Sequence, residues 1–216
     1  MRFDIITIFP HIFDSYLNES LVRRAQEKKI IEVMVRNLRD FTSDKHQKVD
    51  DKPFGGGPGM VLKVEPIMKA VTKIEGRSKN KKKSRVILFS TRGEKLDQKM
   101  AKRLSKYNQL IFICGRYEGV DERGADHIAD EEISIGDYVI SGGELPALVL
   151  MEAVSRFTEG FLGTYESLED IKGYYPSYTR PPEILIGTKT RKVPDVLLSG
   201  DHAAIEVWRK QWGKVK

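Results

Sequence analysis

Apolar residues along the chain fall into two patterns, short continuous runs and positions spaced three to four apart. The stretch Phe3-Asp4-Ile5-Ile6-Thr7-Ile8-Phe9 is β-branched and aromatic and stops at Pro10, which predicts a buried strand. Residues 11–28 carry Ile12, Tyr16 and Ala25 at helical spacing, and Ile31-Glu32-Val33-Met34-Val35 predicts a second strand. Strand, helix and strand within this length form a βαβ unit, so a parallel sheet is expected. Residues 40–59 are polar and end in Gly55-Gly56-Gly57-Pro58-Gly59, where no regular element is expected. Val64 to Ile74 reads as a helix.

The middle of the chain repeats one theme. Val86-Ile87-Leu88-Phe89 runs into Ser90-Thr91-Arg92-Gly93, and Leu110-Ile111-Phe112-Ile113-Cys114 runs into Gly115-Arg116-Tyr117-Glu118-Gly119. Ile133-Ser134-Ile135 and Tyr138-Val139-Ile140 then run into Ser141-Gly142-Gly143-Glu144-Leu145-Pro146. The first two are unbroken apolar runs, as a strand covered on both faces requires. Helices over 94–107 (Leu96, Met100, Leu104, Tyr107) and 145–157 (Leu145, Leu148, Val149, Val154, Phe157) would cover those faces, and their apolar stripes read as core. After Phe157 the composition turns to Gly, Tyr, Pro and charge. The reading is a first domain over 1–160, a linker over 161–173 and a small, mainly helical second domain over 174–216. The last carries a helix at 201–212 with Ser199 or Asp201 as N-cap, and Ile205, Trp208 and Trp212 on one face.

Composition narrows the class. The chain has 216 residues, 40% hydrophobic and 31% charged, which suits an ordinary packed core and excludes global disorder. No apolar run reaches the roughly 18–20 residues of a membrane span, and the start Met1-Arg2-Phe3-Asp4 lacks a signal-peptide pattern. Cys114 is the only cysteine, so no internal disulfide and no cysteine-cluster metal site is expected. These features predict a cytoplasmic protein that does not enter a membrane. The net charge of +6 is concentrated in Lys73, Arg77, Lys79, Lys81, Lys82, Lys83 and Arg85, with Glu75 the one acid among them. Such a segment suits a polyanion through counterion release, and equally suits a solvated linker.

Open parallel sheets bind ligands beyond the carboxyl ends of their strands, so three Gly-containing loops at three such ends predict one pocket. Glycine there permits close approach and positive φ, which suits a ligand read by backbone groups. Neither a P-loop nor a G-x-G-x-x-G dinucleotide motif is present. The histidines at 11, 46, 127 and 202 have no metal spacing, and no Ser/His/Asp constellation is legible. The acids between Glu118 and Asp137 fit either a Mg²⁺ site or a solvated surface.

Five stretches carry a resemblance. They are Ile8-Phe9-Pro10, Asp50-Asp51-Lys52-Pro53-Phe54-Gly55-Gly56-Gly57-Pro58-Gly59-Met60, Gly115-Arg116-Tyr117-Glu118-Gly119-Val120-Asp121-Glu122-Arg123, Ser134-Ile135-Gly136-Asp137-Tyr138-Val139-Ile140-Ser141-Gly142-Gly143-Glu144, and Tyr178-Thr179-Arg180-Pro181. In these the chain resembles tRNA (guanine-N1)-methyltransferases of the bacterial TrmD type, in the SPOUT superfamily. The resemblance implies an α/β fold with a deep trefoil knot at about 86–146, an exception to the rule against threaded connections. It implies a pocket for S-adenosylmethionine. The cofactor residues would be Leu88, Ser90, Gly115, Tyr117, Glu118, Gly119, Ser134, Ile135, Gly136, Tyr138, Ile140, Gly142, Gly143 and Pro146.

The same resemblance implies a homodimer with active sites formed between subunits, and tRNA as substrate. The target would be the guanosine 3′ of the anticodon, position 37. Its N1 is protonated at neutral pH, so a base must take the proton while a cation stabilises charge growing at O6. Arg156 matches the arginine that the family assigns to that task, and Glu118 lies in the region associated with Mg²⁺. At the base the chain departs from the pattern. The family has an aspartate followed by serine twelve residues before the Tyr of Tyr-Thr-Arg-Pro, whereas Glu166-Ser167 stands here. Glu166 is the expected base, with Asp170 the alternative if the linker register slips by one helical turn. A second departure is the tail, which ends at Lys216 shortly after Trp208-Arg209 where relatives usually continue, and the 77–85 basic segment would compensate in gripping tRNA. Two other readings stand beside this one: a SPOUT methyltransferase with another target nucleotide, and a non-catalytic RNA-binding protein.

Overall fold

The computed structural model describes residues 1–76, 83–162 and 175–212. Outside the described residues lie most of the basic segment, the tail end, and the linker with both candidate bases, Glu166 and Asp170. The chain forms two compact units, Met1–Leu162 and Gly163–Lys216.

In chain order the first unit runs β1 (Arg2–Thr7), α1 (Asp14–Leu17), α2 (Ser20–Glu27), β2 (Glu32–Asn37), β3 (Asp50–Asp51), β4 (Val61–Leu62), α3 (Val64–Glu75), β5 (Ser84–Lys95), α4 (Gln98–Leu104), β6 (Gln109–Ile113), α5 (Glu122–His127), β7 (Glu131–Ser134) and α6 (Glu144–Ser155). Five of the strands build one parallel sheet in the order β2-β1-β6-β5-β7. Every side chain of β6 is buried, because helices cover both faces. Leu110 and Phe112 pack with α2, α4 and α6 on one side, while Ile111 and Ile113 meet α3 on the other. This two-residue alternation is why the run has no polar gap. Phe161 is buried in the first of these clusters, so the unit extends past residue 160.

The sheet also holds a buried charge. Asp4 is fully buried on β1, and Arg2, Arg36 and Gln109 all donate to its carboxylate at 2.7–3.2 Å. Burial opposes its charge, but these three donors outweigh burial and hold its pKa below the ordinary carboxylate value.

Several expectations are corrected. The helix expected over 11–28 is a 3-10 turn at Pro10–Phe13 followed by two short helices, broken at Asn18-Glu19 where the backbone leaves the helical region. The helix expected over 94–107 covers Gln98–Leu104 only, because Glu94 and Lys95 still pair with β7 and Asp97 caps at Met100 N–H. Within the polar segment, Asp50–Asp51 pairs antiparallel with Val61–Leu62. Tyr138-Val139-Ile140 is exposed loop, since β7 ends at Ser134 and Gly136 turns the chain at φ +157°.

The described part of the second unit is less helical than expected. A hairpin, β8 (Glu183–Ile186) with β9 (Lys189–Lys192), turns at Gly187, whose φ is +64°. Two helices follow, Asp195–Leu198 and His202–Lys210. Asp201 is the N-cap of the second, accepting from the N–H groups of Ala203 and Ala204. Tyr178, Trp208 and Trp212 pack with ring centroids 6.4 and 5.7 Å apart along that chain of rings.

Candidate active site

The carboxyl ends of β5, β6 and β7 are neighbours in the sheet, and the loops that leave them enclose a cavity of about 530 Å³. Leu88 and Ser90 reach it from β5 itself, at and beside the irregularity between Phe89 and Glu94, and Gly115, Tyr117, Glu118 and Gly119 from the loop after β6, the second loop. Ser134, Ile135, Gly136, Tyr138, Ile140, Gly142, Gly143 and Pro146 line it from the third. The structure thus gathers every residue expected at the cofactor pocket around one space. The volume lies within the roughly 300–1,000 Å³ typical of small-molecule sites.

The loops are pressed against backbone. A Cβ at Gly143 would lie 2.6 Å from Cys114 Cα, and one at Gly93 would lie 2.5 Å from the Glu132 carbonyl carbon. Neither position has room for any other residue. Gly143 N–H donates to Gly115 O at 2.9 Å, which ties the third loop to the second. Tyr117 takes φ +61°, a left-handed conformation uncommon outside glycine and concentrated at functional sites.

A buried polar relay sits under these loops. Glu144 is 1% exposed and opens α6. It accepts from Thr7 Oγ1 at 2.7 Å and from Arg116 Nε at 2.9 Å. The Arg116 guanidinium also donates to Ser141 O and stands 4.9 Å over the Phe9 ring. One ion pair thereby joins β1, the second loop and the start of α6. Beside it, burial, with Glu144 adding to it, pushes the Cys114 thiol well above its ordinary pKa, so this cysteine stays neutral. At the rim, Arg92, in the irregular stretch of β5, bonds Glu122 at 2.9 Å, bridging to the helix that follows the second loop.

Comparison with known proteins decides the family. The sequence matches the family described as tRNA (Guanine-1)-methyltransferase TrmD over residues 1–216. The chain belongs to this TrmD family. It is 50% identical to the tRNA (guanine-N(1)-)-methyltransferase of Ruminiclostridium cellulolyticum, covering 98% of this chain and 90% of that protein. It is 49% identical to the corresponding protein of Carboxydothermus hydrogenoformans, over 98% of this chain and 82% of the relative. Among solved structures it is similar to the tRNA (m1G37) methyltransferase of Aquifex aeolicus, with TM-score 0.79 and 45% identity over 96% of this chain and 87% of the other.

Against this TrmD-family background, Arg156 stands apart. It caps the C-terminal end of α6, while Pro146 at the other end lines the cavity. Ten helical residues separate them, about 15 Å at 1.5 Å per residue. The structure does not bring Arg156 to the cavity of its own chain. Glu118 does line the cavity, and its N–H donates to Met60 O at 3.0 Å. Among the described residues, no three His, Cys, Asp or Glu side chains gather to hold a metal ion.

Sequence reasoning missed Arg116, Glu144 and Thr7. Arg116 lies between two glycines of a loop read for its backbone, and Glu144 stands in the third Gly-containing loop with no partner legible in the sequence. Only the fold shows that Thr7, 137 positions from Glu144, is its partner.

Proposed function

We propose that this chain transfers a methyl group from S-adenosyl-L-methionine to N1 of the guanosine at tRNA position 37, giving 1-methylguanosine. The observation that carries this reading is the TrmD-family match along the whole chain, with the three-loop cavity falling on its motifs. When bound, S-adenosyl-L-methionine supplies an electrophilic methyl group on a sulfonium. The cavity suits it in volume and in its glycine-lined walls, which offer backbone N–H and C=O groups at close range.

The chain's residues must then make N1 nucleophilic. Glu166, or Asp170 in its place, takes the N1 proton onto its carboxylate. Arg156 donates to O6, where the electron pair released at N1 is delocalised. N1 bonds to the methyl carbon as the carbon–sulfur bond breaks, and the proton leaves with the carboxylic acid.

A homodimer belongs to the same reading, supported by the placement of Arg156 away from its own cavity. Leu145, Val149, Glu152 and Arg156 recur at helical spacing on one side of α6. Leu145 is 58% and Val149 46% exposed, and the neighbouring Ile12 and Tyr16 are about as open. Tyr16 OH donates to Glu152 Oε2 at 2.9 Å, and burial together with this bond pushes the phenol up to about 12. A helix that is apolar on nearly every side calls for cover on this one. A second copy seated there would cover this face, and in such a dimer Arg156 of one subunit would serve the cavity of the other.

Four finer parts belong to the same reading. Mg²⁺ keeps several waters and needs few carboxylates, so Glu118 alone would serve as protein ligand beside the substrates' oxygens. The deep trefoil knot would lie within 86–146, a reading supported by the close passage of Gly143 over Cys114 and of Gly93 over β7. The boundary between a cofactor domain and a small tRNA-binding tail, and a cytoplasmic setting, complete it. No helix among the described residues is long and apolar enough to cross a membrane.

The test is methyl transfer from labelled S-adenosylmethionine to a tRNA transcript, followed by digestion to nucleosides. Label in 1-methylguanosine is expected. Label in another nucleoside, or none while the cofactor binds, overturns the proposal.

A further inference from the structure

Between β3 and β4 the chain forms an arm whose tip, Phe54 to Gly57, stands clear of the rest of the first unit. Gly55, Gly56 and Gly57 have φ of +83°, +81° and +126°, and a Cβ on any of them would meet nothing within 4 Å. At the tip is Phe54, 102% exposed, the barest large apolar side chain among the described residues. Single exposed apolar residues are common on protein surfaces. This one is held out on an arm whose backbone suits glycine alone, at a cost in chain entropy.

The root of the arm is hydrogen-bonded to the second cavity loop. Glu118 N–H donates to Met60 O, Leu62 N–H to Gly119 O, and Asp121 N–H to Leu62 O, all at 2.9–3.0 Å. Glu118 also packs on the arm directly, because a Cβ at Gly59 would fall 2.5 Å from its Oε1. The arm and the second cavity loop are therefore one piece. Five residues from Gly59 to Phe54 span at most about 17 Å, so the ring is within reach of a molecule entering the cavity. Lys45, Lys48 and Lys52, which lead into the arm along the chain, are exposed. The acids beside them are engaged by backbone: Asp44 accepts from the N–H groups of His46 and Lys48, and Asp51 from that of Lys52.

Exposed lysines beside a bare aromatic ring are how proteins hold single-stranded nucleic acid, by phosphate attraction and base stacking. A target base in a structured loop must also be turned out of its stack before its ring nitrogen can be reached. We propose that Phe54 stacks on an unpaired anticodon-loop base next to the target guanosine and holds the loop open while the target enters the cavity. This rests on the tRNA-methylating function proposed above.

The test uses the full chain with a tRNA transcript carrying 2-aminopurine beside the target guanosine. Phe54→Ala and Phe54→Leu are each expected to lower kcat/KM for tRNA about tenfold, inside the roughly 5- to 150-fold range that one base–aromatic stack covers. Phe54→Tyr and Phe54→Trp are expected to restore it. Wild-type binding quenches the 2-aminopurine, Phe54→Ala abolishes the quenching, and affinity for S-adenosylmethionine stays constant throughout. The proposal is overturned if Phe54→Leu keeps wild-type rate and quenching, since apolar bulk alone then suffices. It is also overturned if Phe54→Ala leaves the quenching intact and instead weakens self-association, which would place the ring against a second copy. Phe54-dependent quenching by a wild-type protein that transfers no methyl would uphold the stacking and overturn the proposed function alone.

Discussion

Arg116 Nε and Glu144 Oε2 meet at 2.9 Å beneath the cavity, the carboxylate 1% and the guanidinium side chain 20% exposed. The pair fixes the second loop to the first turn of α6, and Thr7 completes the carboxylate's shell. Its value lies in what its loss would leave, a half-buried cation with no counter-charge under two loops that must keep their spacing. Glu144→Gln preserves shape and removes the charge. Breaking a buried pair in this way typically costs about 3–5 kcal/mol, and the partial exposure of Arg116 places the expected loss at the low end, about 3 kcal/mol. Chemical denaturation should show that loss, and calorimetric titration should show S-adenosylmethionine affinity at least tenfold weaker. Unchanged affinity would separate the pair from the cavity.

Asp4 gives the stability a pH signature. Its pKa is lower in the fold than the ordinary 3.8, so the unfolded chain takes up the proton first as pH falls. The stabilisation is full above the unfolded value and disappears as pH drops through the folded one. Wild-type Tm should therefore fall steeply below about pH 4. Asp4→Asn, which leaves Arg2 and Arg36 without their carboxylate, should be less stable at pH 7 and show a flatter decline below pH 4. Parallel curves for the two proteins would refute the assignment.

The sheet was legible because its strands obey simple periodicities. Leu110 to Cys114 is apolar throughout, as a strand buried on both faces must be, and its neighbour Val86 to Phe89 shares that pattern. The third run was harder to read. Tyr138-Val139-Ile140 has strand composition, yet Val139 is 84% exposed, because Ser134 and Gly136 turn the chain before a strand can form. The hairpin at Gly187 was missed although Ile184-Leu185-Ile186 precedes a Gly-containing turn. Its strands are exposed on both faces, so they carry no alternation of apolar and polar residues to reveal them. The cavity lining was readable residue by residue through motif resemblance, whereas the Arg116–Glu144–Thr7 relay depends on contacts that only folding creates.

The distance of Arg156 from its own cavity makes a prediction about mixed dimers. Arg156→Ala should lower kcat about 100-fold or more, the scale of losing one charge-stabilising donor, with S-adenosylmethionine affinity unchanged. Gly136→Val should block the cavity, because an added Cβ falls 2.3 Å from the Tyr138 ring. Each variant alone should be nearly inactive. Co-expressed with different tags and purified as the mixed dimer, they should regain close to half of wild-type activity, since one intact cavity then faces one intact Arg156. Absence of rescue in a verified mixed dimer would place cavity and arginine in the same chain.

The base should declare itself through two substitutions. Glu166→Gln is expected to lower single-turnover methyl transfer by about 10²–10⁴-fold, the usual contribution of a general base, and to leave cofactor binding intact. Asp170→Asn should stay near wild type. Loss in Asp170→Asn alone would reverse the assignment.

The most direct test of the whole account compares two tRNA transcripts that differ only in whether guanosine or adenosine follows the anticodon. Given S-adenosylmethionine, the protein is predicted to methylate the first and leave the second unlabelled. Equal labelling of both would contradict the account, because the methyl group would then be going to another nucleotide.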